Sequence, residues 1–305
     1  MRQSTRRNFL KTSTGLLGFA IAGSSFDYFK HEPLLSFSTL GCPDWPFEMI
    51  VNFAVENNYN GIEMRGILRE LELTKCKEFN SAENRAATLK LMTDKGLRFV
   101  DLGSSAAMHH PKGADRQKNI DDAKRFIDLA QQIKCPYIRV FPNDLPKDRD
   151  RNETSDLITK GLIELGNYAK DSNVTVLMES HGELVHTEDL KKIMEAAAGN
   201  HVGMIWDIVN MWSVTKEPPA HVYTQLKKYI HHTHIKDMKQ VDGKEKYVLL
   251  GKGETPILEA IGILFKDQYK GYYSFEWEKL WHPEIDEPEI AIADYSKTMK
   301  EHFKV

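Results

Sequence analysis

The sequence predicts an α/β protein folded as a single-domain (β/α)8 TIM barrel, and three observations lead to this prediction. From Pro33 onwards, short apolar runs alternate with amphipathic stretches. Eight such runs follow one another at a spacing of roughly 30–40 residues, as the repeat of a barrel requires. The turn after the first run, residues 39–43, reads TLGCP and lacks the glycine-rich phosphate-binding pattern of a doubly wound open sheet.

The eight candidate strands are short and rich in β-branched and aromatic residues, as buried parallel strands usually are. In chain order they are Leu34–Leu40, Gly61–Met64, Leu97–Leu102, Tyr137–Phe141, Val174–Glu179, Val202–Asp207, Ile230–Ile235 and Tyr272–Glu276. Between them, apolar residues recur at helical spacing, most clearly in residues 120–130, 158–169 and 190–197. Strands that alternate with helices in this way indicate a parallel barrel.

The first 22 residues have the pattern of a twin-arginine-type signal peptide. Arg6 and Arg7 precede Phe-Leu-Lys, and the apolar stretch from Gly15 ends in the small-x-small sequence Ala20–Ala22. We therefore expect export to the periplasm, a short linker over residues 23–33, and a catalytic TIM-barrel domain over residues 34–305. No apolar run reaches the ~20 residues that cross a bilayer, so no stable membrane insertion is expected.

The charge balance excludes one class of partner. The whole chain carries a formal net charge of −3, and the first 22 residues contribute basic groups only, so the exported part is more acidic still. Binding to a nucleic-acid backbone needs a basic surface, and we therefore expect no nucleic-acid partner. A neutral or weakly charged small molecule fits this balance better.

Acidic and imidazole side chains stand at the ends of four consecutive predicted strands. Glu179 ends the fifth strand, Asp207 the sixth and Glu276 the eighth, while His234 lies near the end of the seventh. The catalytic groups of barrels lie at these carboxyl ends, and period-two alternation brings the four side chains to a shared mouth. Three carboxylates so close together would repel unless a cation lay between them. We therefore predict one divalent metal ion, with Mn²⁺, Mg²⁺, Co²⁺ and Zn²⁺ left open.

The segments around these residues resemble the xylose-isomerase-like TIM-barrel superfamily of sugar phosphate isomerases and epimerases, ketose 3-epimerases, inosose dehydratase and endonuclease IV. They read MESHG at 178–182, WDIVN at 206–210, HTHIKD at 232–237 and YYSFE at 272–276. The resemblance implies that Glu179, Asp207, His234 and Glu276 bind one metal ion. It also implies that the two glutamates act as acid and base, and it allows a homo-oligomer.

The expected activity is that of a divalent-metal-dependent sugar isomerase or epimerase, which removes a proton next to a sugar carbonyl and passes through an enediolate. Ketose 3-epimerases have a histidine three residues after the ligand aspartate, where this chain has Asn210. A lyase or hydratase acting on a keto-sugar, keto-glycoside or inosose uses the same metal and base, and it stays open. The sequence fits two further functions less well: a DNA-repair endonuclease, which needs more histidines and a basic groove, and a non-catalytic sugar-binding barrel.

Six more residues, at predicted strand ends or in the loops that follow, are predicted to contact a small carbohydrate substrate. They are His181, Lys236, Glu63, His110, Asn210 and Trp277. Ammonium, imidazole, amide and carboxylate groups hydrogen-bond to sugar hydroxyls. An indole face stacks on a sugar ring, although a large indole is as often plain packing.

Overall fold

The computed structural model describes residues 32–197, 199 and 201–303, and in them eight parallel strands close into a barrel. This confirms the predicted fold class. The barrel strands are β1 (Leu34–Ser38), β2 (Gly61–Met64), β3 (Arg98–Ala107), β4 (Tyr137–Phe141), β5 (Thr175–Glu179), β6 (Val202–Asp207), β7 (Ile230–Ile235) and β10 (Tyr272–Phe275). The predicted signal, and all but the last two residues of the predicted linker, lie outside the described residues, so export stays a prediction.

The bounds of β2, β4, β6 and β7 agree with those predicted from the sequence. β1 is two residues shorter than predicted because Thr39–Gly41 form a 3-10 turn, which Ser38 caps. β3 runs five residues beyond its predicted end, through Gly, Ser and Ala residues that have low strand propensity. This extension is irregular, with a register shift against β4 after Gly103, and the Ser104 hydroxyl secures it by donating to the Arg139 carbonyl at 2.5 Å.

Helices surround the barrel, and most of them bury several apolar side chains. In the described residues they are α1 (Phe47–Glu56), α2 (Ala82–Asp94), α3 (Ala114–Gln132), α4 (Arg151–Ala169), α5 (Thr187–Ala197), α6 (Ile208–Thr215), α7 (Pro219–Leu226), α8 (Ile257–Lys266) and α9 (Pro288–Phe303). The three predicted stripes lie in α3, α4 and α5, and Ile158, Leu162 and Leu165 of α4 are fully buried. Burial of one such side chain contributes about 1.5–3 kcal/mol. None of the described helices combines the length and apolarity that crossing a bilayer demands.

An antiparallel hairpin, β8 (Asp237–Val241) and β9 (Lys244–Val248), follows β7 at the mouth of the barrel. Its turn residues Asp242 and Gly243 have φ values of 51° and 74°, as a type I′ turn requires. The Asp237 carboxylate accepts 2.9 Å hydrogen bonds from the backbone N–H groups of Gly251 and Gly253. A Cβ atom on Gly253 would lie 2.1 Å from Asp237 Oδ1, so only glycine lets this loop close on the hairpin.

Candidate metal centre

The four predicted metal ligands lie together at the mouth of the barrel. Their strands β5, β6, β7 and β10 are neighbours in the barrel, and Glu276 follows β10 directly. Glu179, Asp207, His234 and Glu276 are all buried, and each offers one ligand atom within 4.8 Å of the other three. Divalent ions bind such atoms at about 2.1 Å, which separates the ligands from one another by roughly 3–4.2 Å. The four side chains therefore fit one divalent ion after only small adjustments.

The two ring nitrogens of His234 face different partners. Nδ1 lies 3.3 Å from Glu179 Oε1 and 3.2 Å from Glu276 Oε1, whereas Nε2 lies 3.1 Å from Glu63 Oε2. If Nε2 donates its proton to Glu63, Nδ1 keeps a lone pair for an ion between the carboxylates. Burial lowers the pKa of His234, but Glu276 and the other carboxylates raise it well above its usual value. An ion bound here must therefore displace a proton.

Glu63 lies beneath His234 in the interior of the barrel. Its Oε2 atom accepts a 3.1 Å hydrogen bond from the Ser274 hydroxyl and lies 3.0 Å from His232 Nε2, in addition to the contact with His234. Burial opposes ionisation of Glu63, but the two imidazoles outweigh it and lower the pKa of this carboxyl. An ionised Glu63 therefore fixes the ring orientation of His234 from below. With an ion bound at His234 Nδ1, this arrangement would be the carboxylate–histidine–metal pattern of known metal sites.

Replacing Glu63 with Gln is expected to weaken metal binding by about 10–100-fold, because the amide no longer holds the His234 ring and its tautomer. Isothermal titration of metal-free protein with Mn²⁺ or Zn²⁺ measures the change. Glu48, an exposed glutamate of α1, provides the matched control. Glu48→Gln makes the same change of charge at a position far from the centre. Equal metal affinity of the Glu63→Gln variant and the wild type would show that Glu63 does not position the ligand.

Two buried cations also contact the carboxylates. Arg139 Nη1 lies 2.8 Å from Glu179 Oε2 and 3.8 Å from Glu276 Oε1. Lys236 Nζ lies 2.7 Å from Asp207 Oδ2, 2.7 Å from Glu276 Oε2 and 2.6 Å from Glu278 Oε1. Two cations thus face four carboxylates, and the remaining negative charge favours a divalent ion.

The charge state of the ligands follows from these contacts. Burial raises the pKa of Glu179 and Glu276, but the surrounding cations reverse this effect and hold both groups ionised at neutral pH. Burial raises the pKa of Asp207, and the attraction of Lys236 opposes this effect but does not cancel it. A bound divalent ion would lower the pKa of Asp207 again and complete an ionised ligand set.

Asp207 is oriented by the start of α6. Its Oδ1 atom accepts a hydrogen bond from the Asn210 backbone N–H at 2.9 Å, which makes Asp207 the N-cap of this helix. The Ser180 hydroxyl accepts a bond from the Asp207 backbone N–H at 2.9 Å. These two bonds leave Oδ2 directed toward Lys236 and the other ligands. The place of Asp207, at the end of β6 and the start of α6, therefore determines the orientation of its carboxylate.

A cavity of about 230 Å³ opens above the four ligands. Three of the six predicted substrate contacts line it: His181, Lys236 and Asn210. His181 Nδ1 lies 3.0 Å from the Asn143 side-chain oxygen, and its ring packs against Phe141 with centroids 4.5 Å apart. These contacts hold the imidazole at the edge of the cavity.

The other three predicted substrate contacts lie outside the lining of this cavity. Glu63 lies below it, and the His110 ring stacks on His109 with centroids 4.1 Å apart. Trp277 is fully buried, because its indole N–H donates to the Asp286 carbonyl at 3.0 Å and its ring stacks on Phe275. Trp281 lines the cavity instead and is 52% exposed.

Arg65 and Glu278 also line the cavity, although neither is among the residues predicted from the sequence. Both were detectable by their spacing. Arg65 stands two residues after Glu63, and Glu278 two residues after Glu276, so strand alternation puts each on the inward face. Lys236 continues the inward series of His232 and His234 in the same way.

Comparison with known proteins gives three kinds of match. Residues 51–300 match the family described as xylose isomerase-like TIM barrel. The 3-dehydroshikimate dehydratase of Bacillus anthracis is 24% identical over 206 residues, which cover 64% of this chain and 68% of that protein. The L-ribulose-5-phosphate 3-epimerase of Escherichia coli is 24% identical over 227 residues, covering 70% and 75%. The crystal structure of the IOLI protein with a zinc atom superposes with a TM-score of 0.73 at 15% identity, covering 89% of this chain and 98% of that one.

Proposed function

The chain belongs to the xylose isomerase-like TIM-barrel family, and we propose that it is a divalent-metal-dependent isomerase or epimerase of a small sugar. One observation carries this proposal. Glu179 and Glu276 come from the two ends of the four-strand arc β5–β6–β7–β10, and both line the cavity above the ligands. Two carboxylates that flank one cavity are the arrangement that a proton transfer between two faces of a carbon atom needs.

A divalent ion held by the four ligands would polarise a sugar carbonyl and make the adjacent C–H bond acidic. Glu179 and Glu276 are both ionised, so either can accept the proton from the C–H bond. In an isomerisation, the carboxylic acid so formed returns this proton to the neighbouring carbon. In an epimerisation, the opposite carboxylate first takes up a proton from water and then donates it to the other face of the carbon. Arg139 and Lys236 hold the two carboxylates by ion pairs of 2.8 and 2.7 Å and so fix their orientation. Burial of both glutamates excludes bulk water, which strengthens these charge interactions.

The relatives support a proton transfer of this kind, since one is named a 3-epimerase and another a dehydratase. Both reactions begin by removal of a proton next to a carbonyl group. A lyase or hydratase is therefore the second candidate, and the position of Lys236 favours it. Its buried ammonium group bridges Glu276 and Glu278 at the cavity wall, where it can protonate a departing hydroxyl.

Incubation of the metal-loaded protein in deuterated water with a panel of keto-sugars tests the proposal. The panel contains neutral members, 3-keto-glucose and a 3-keto-glucoside, and keto-sugars that carry a carboxylate or a phosphate group. An isomerase or epimerase incorporates deuterium next to the carbonyl without loss of water, which NMR detects. A lyase instead releases water and produces an absorbing enone. The proposal is contradicted if the ion binds but no keto-sugar of the panel undergoes exchange or elimination.

A further inference from the structure

We propose that the cavity selects sugars carrying an anionic group, a carboxylate or a phosphate, and that Arg65 binds this group. This inference rests on the proposed function and names its substrate class. It departs from the neutral or weakly charged substrate that the overall charge of the sequence favours. The contacts of the Arg65 guanidinium group support this inference.

Arg65 follows β2 directly, is only 5% exposed and lines the cavity. Its Nη1 donates to the Gly103 carbonyl at 3.3 Å and its Nη2 to the Ser105 hydroxyl at 2.9 Å. Both acceptors are neutral. A guanidinium group has five N–H donors, so three of them have no acceptor among the described residues.

The other two cations of the cavity wall form direct ion pairs, whereas Arg65 forms none with the carboxylates of the described part of the chain. Arg139 pairs with Glu179, and Lys236 pairs with Asp207, Glu276 and Glu278. A buried charge without a direct hydrogen-bonded ion partner is costly. Burial and the neighbouring Arg139 lower the pKa of Arg65 to about 9, against the attraction of Glu276, Glu179 and Glu63, which leaves it cationic at neutral pH. A ligand anion would provide the direct hydrogen-bonded partner that Arg65 lacks.

Gly103 of β3 provides the space in which the two arginines lie side by side. A Cβ atom at Gly103 would lie 2.8 Å from Arg65 Cδ and 3.3 Å from Arg139 Nη2. Two neighbouring guanidinium groups repel each other, and an anion bound between or beside them relieves that repulsion. Planar guanidinium donors match carboxylate and phosphate oxygens better than an ammonium group does.

The position of Arg65 in the barrel also fits recognition of the far end of a sugar. In the closed strand order, β2 lies four strands from β6, which puts Arg65 opposite the strand of Asp207. An anionic group held by Arg65 would leave the rest of the molecule extending across the cavity toward the metal ligands. The volume of about 230 Å³ is below the ~300–1,000 Å³ of most ligand pockets and suits a single sugar ring.

Isothermal titration of the metal-loaded protein with D-glucuronate, D-glucose 6-phosphate and D-glucose tests this inference. At least one charged sugar should bind about 10–100-fold more tightly than glucose, the range for hydrogen bonds to a charged group. The charged sugar that binds better identifies carboxylate or phosphate as the source. Arg65→Gln should remove the preference for the charged sugar over glucose, while Arg98→Gln, at an exposed arginine where β3 begins, should keep it.

Two results would overturn the inference. One is wild-type protein that binds neither charged sugar more tightly than glucose. The other is a preference that survives in folded Arg65→Gln protein. If this variant does not fold, Arg65→Lys decides, because it keeps the charge but loses the planar fork, and the preference must fall several-fold. Binding needs no turnover, so this test can fail or succeed independently of the deuterium experiment.

Discussion

Replacing Glu276 with Gln is expected to lower kcat/KM for a sugar substrate by at least about 1,000-fold. Loss of a positioned proton acceptor alone costs about 10²–10⁴-fold, and the amide is also a poorer ligand for a divalent ion. Gln has nearly the same size as Glu, so the packing around His234 and Lys236 is retained. Steady-state kinetics at saturating metal, with the ion content measured in parallel, separate the two contributions.

Glu287→Gln is the matched control for this change, because Glu287 pairs with Lys279 on the surface and is far more exposed. It should keep wild-type kinetics. Glu179→Gln should lose as much activity as Glu276→Gln, and the double variant should lose little more, because the two groups act in one proton transfer. More than a tenth of wild-type activity in Glu276→Gln would remove this residue from the chemistry.

Replacing Arg139 with Met is expected to lower the free energy of unfolding of the metal-free protein by about 3–5 kcal/mol. The methionine fills the space of the arginine stem but leaves the buried Glu179 carboxylate without its 2.8 Å partner. It also removes the guanidinium that lies 4.0 Å above the Phe141 ring. Equilibrium unfolding in urea measures the change.

Arg125→Met is the control here, since Arg125 pairs with Glu72 and Asp122 on the surface and is about half exposed. Exposed pairs contribute about 0–1 kcal/mol, so this variant should unfold almost as the wild type does. Addition of Zn²⁺ or Mn²⁺ should restore part of the stability of Arg139→Met, because the ion supplies the lost positive charge. A stability of Arg139→Met within about 1 kcal/mol of wild type would contradict the account of the buried pair.

Strand positions and the convergence of the four predicted metal ligands were the most predictable features of this sequence. Buried parallel strands are marked by their own apolar and β-branched residues, so four sets of bounds agreed with the structure. The ligands Glu179 and Asp207 end such strands, and strand alternation alone determines which face they occupy. Their convergence therefore follows from local sequence once the barrel is assumed.

Loop residues were less predictable, because their direction depends on contacts with distant parts of the chain. Trp277 follows a metal ligand, but the Asp286 carbonyl, nine residues away, holds its indole in the interior. Trp281 lines the cavity from a loop whose Leu280 backbone N–H donates to the distant Leu40 carbonyl. The hairpin β8–β9 is different, since Asp242 and Gly243 mark its turn in the sequence itself.

Metal analysis of the reconstituted and dialysed protein tests the central claim most directly. The account predicts one divalent ion per wild-type chain, and less than about a tenth of that in Asp207→Ala and in His234→Gln, both measured by inductively coupled plasma mass spectrometry. A wild-type chain that retains no ion, or ligand variants that retain a full equivalent, would contradict it.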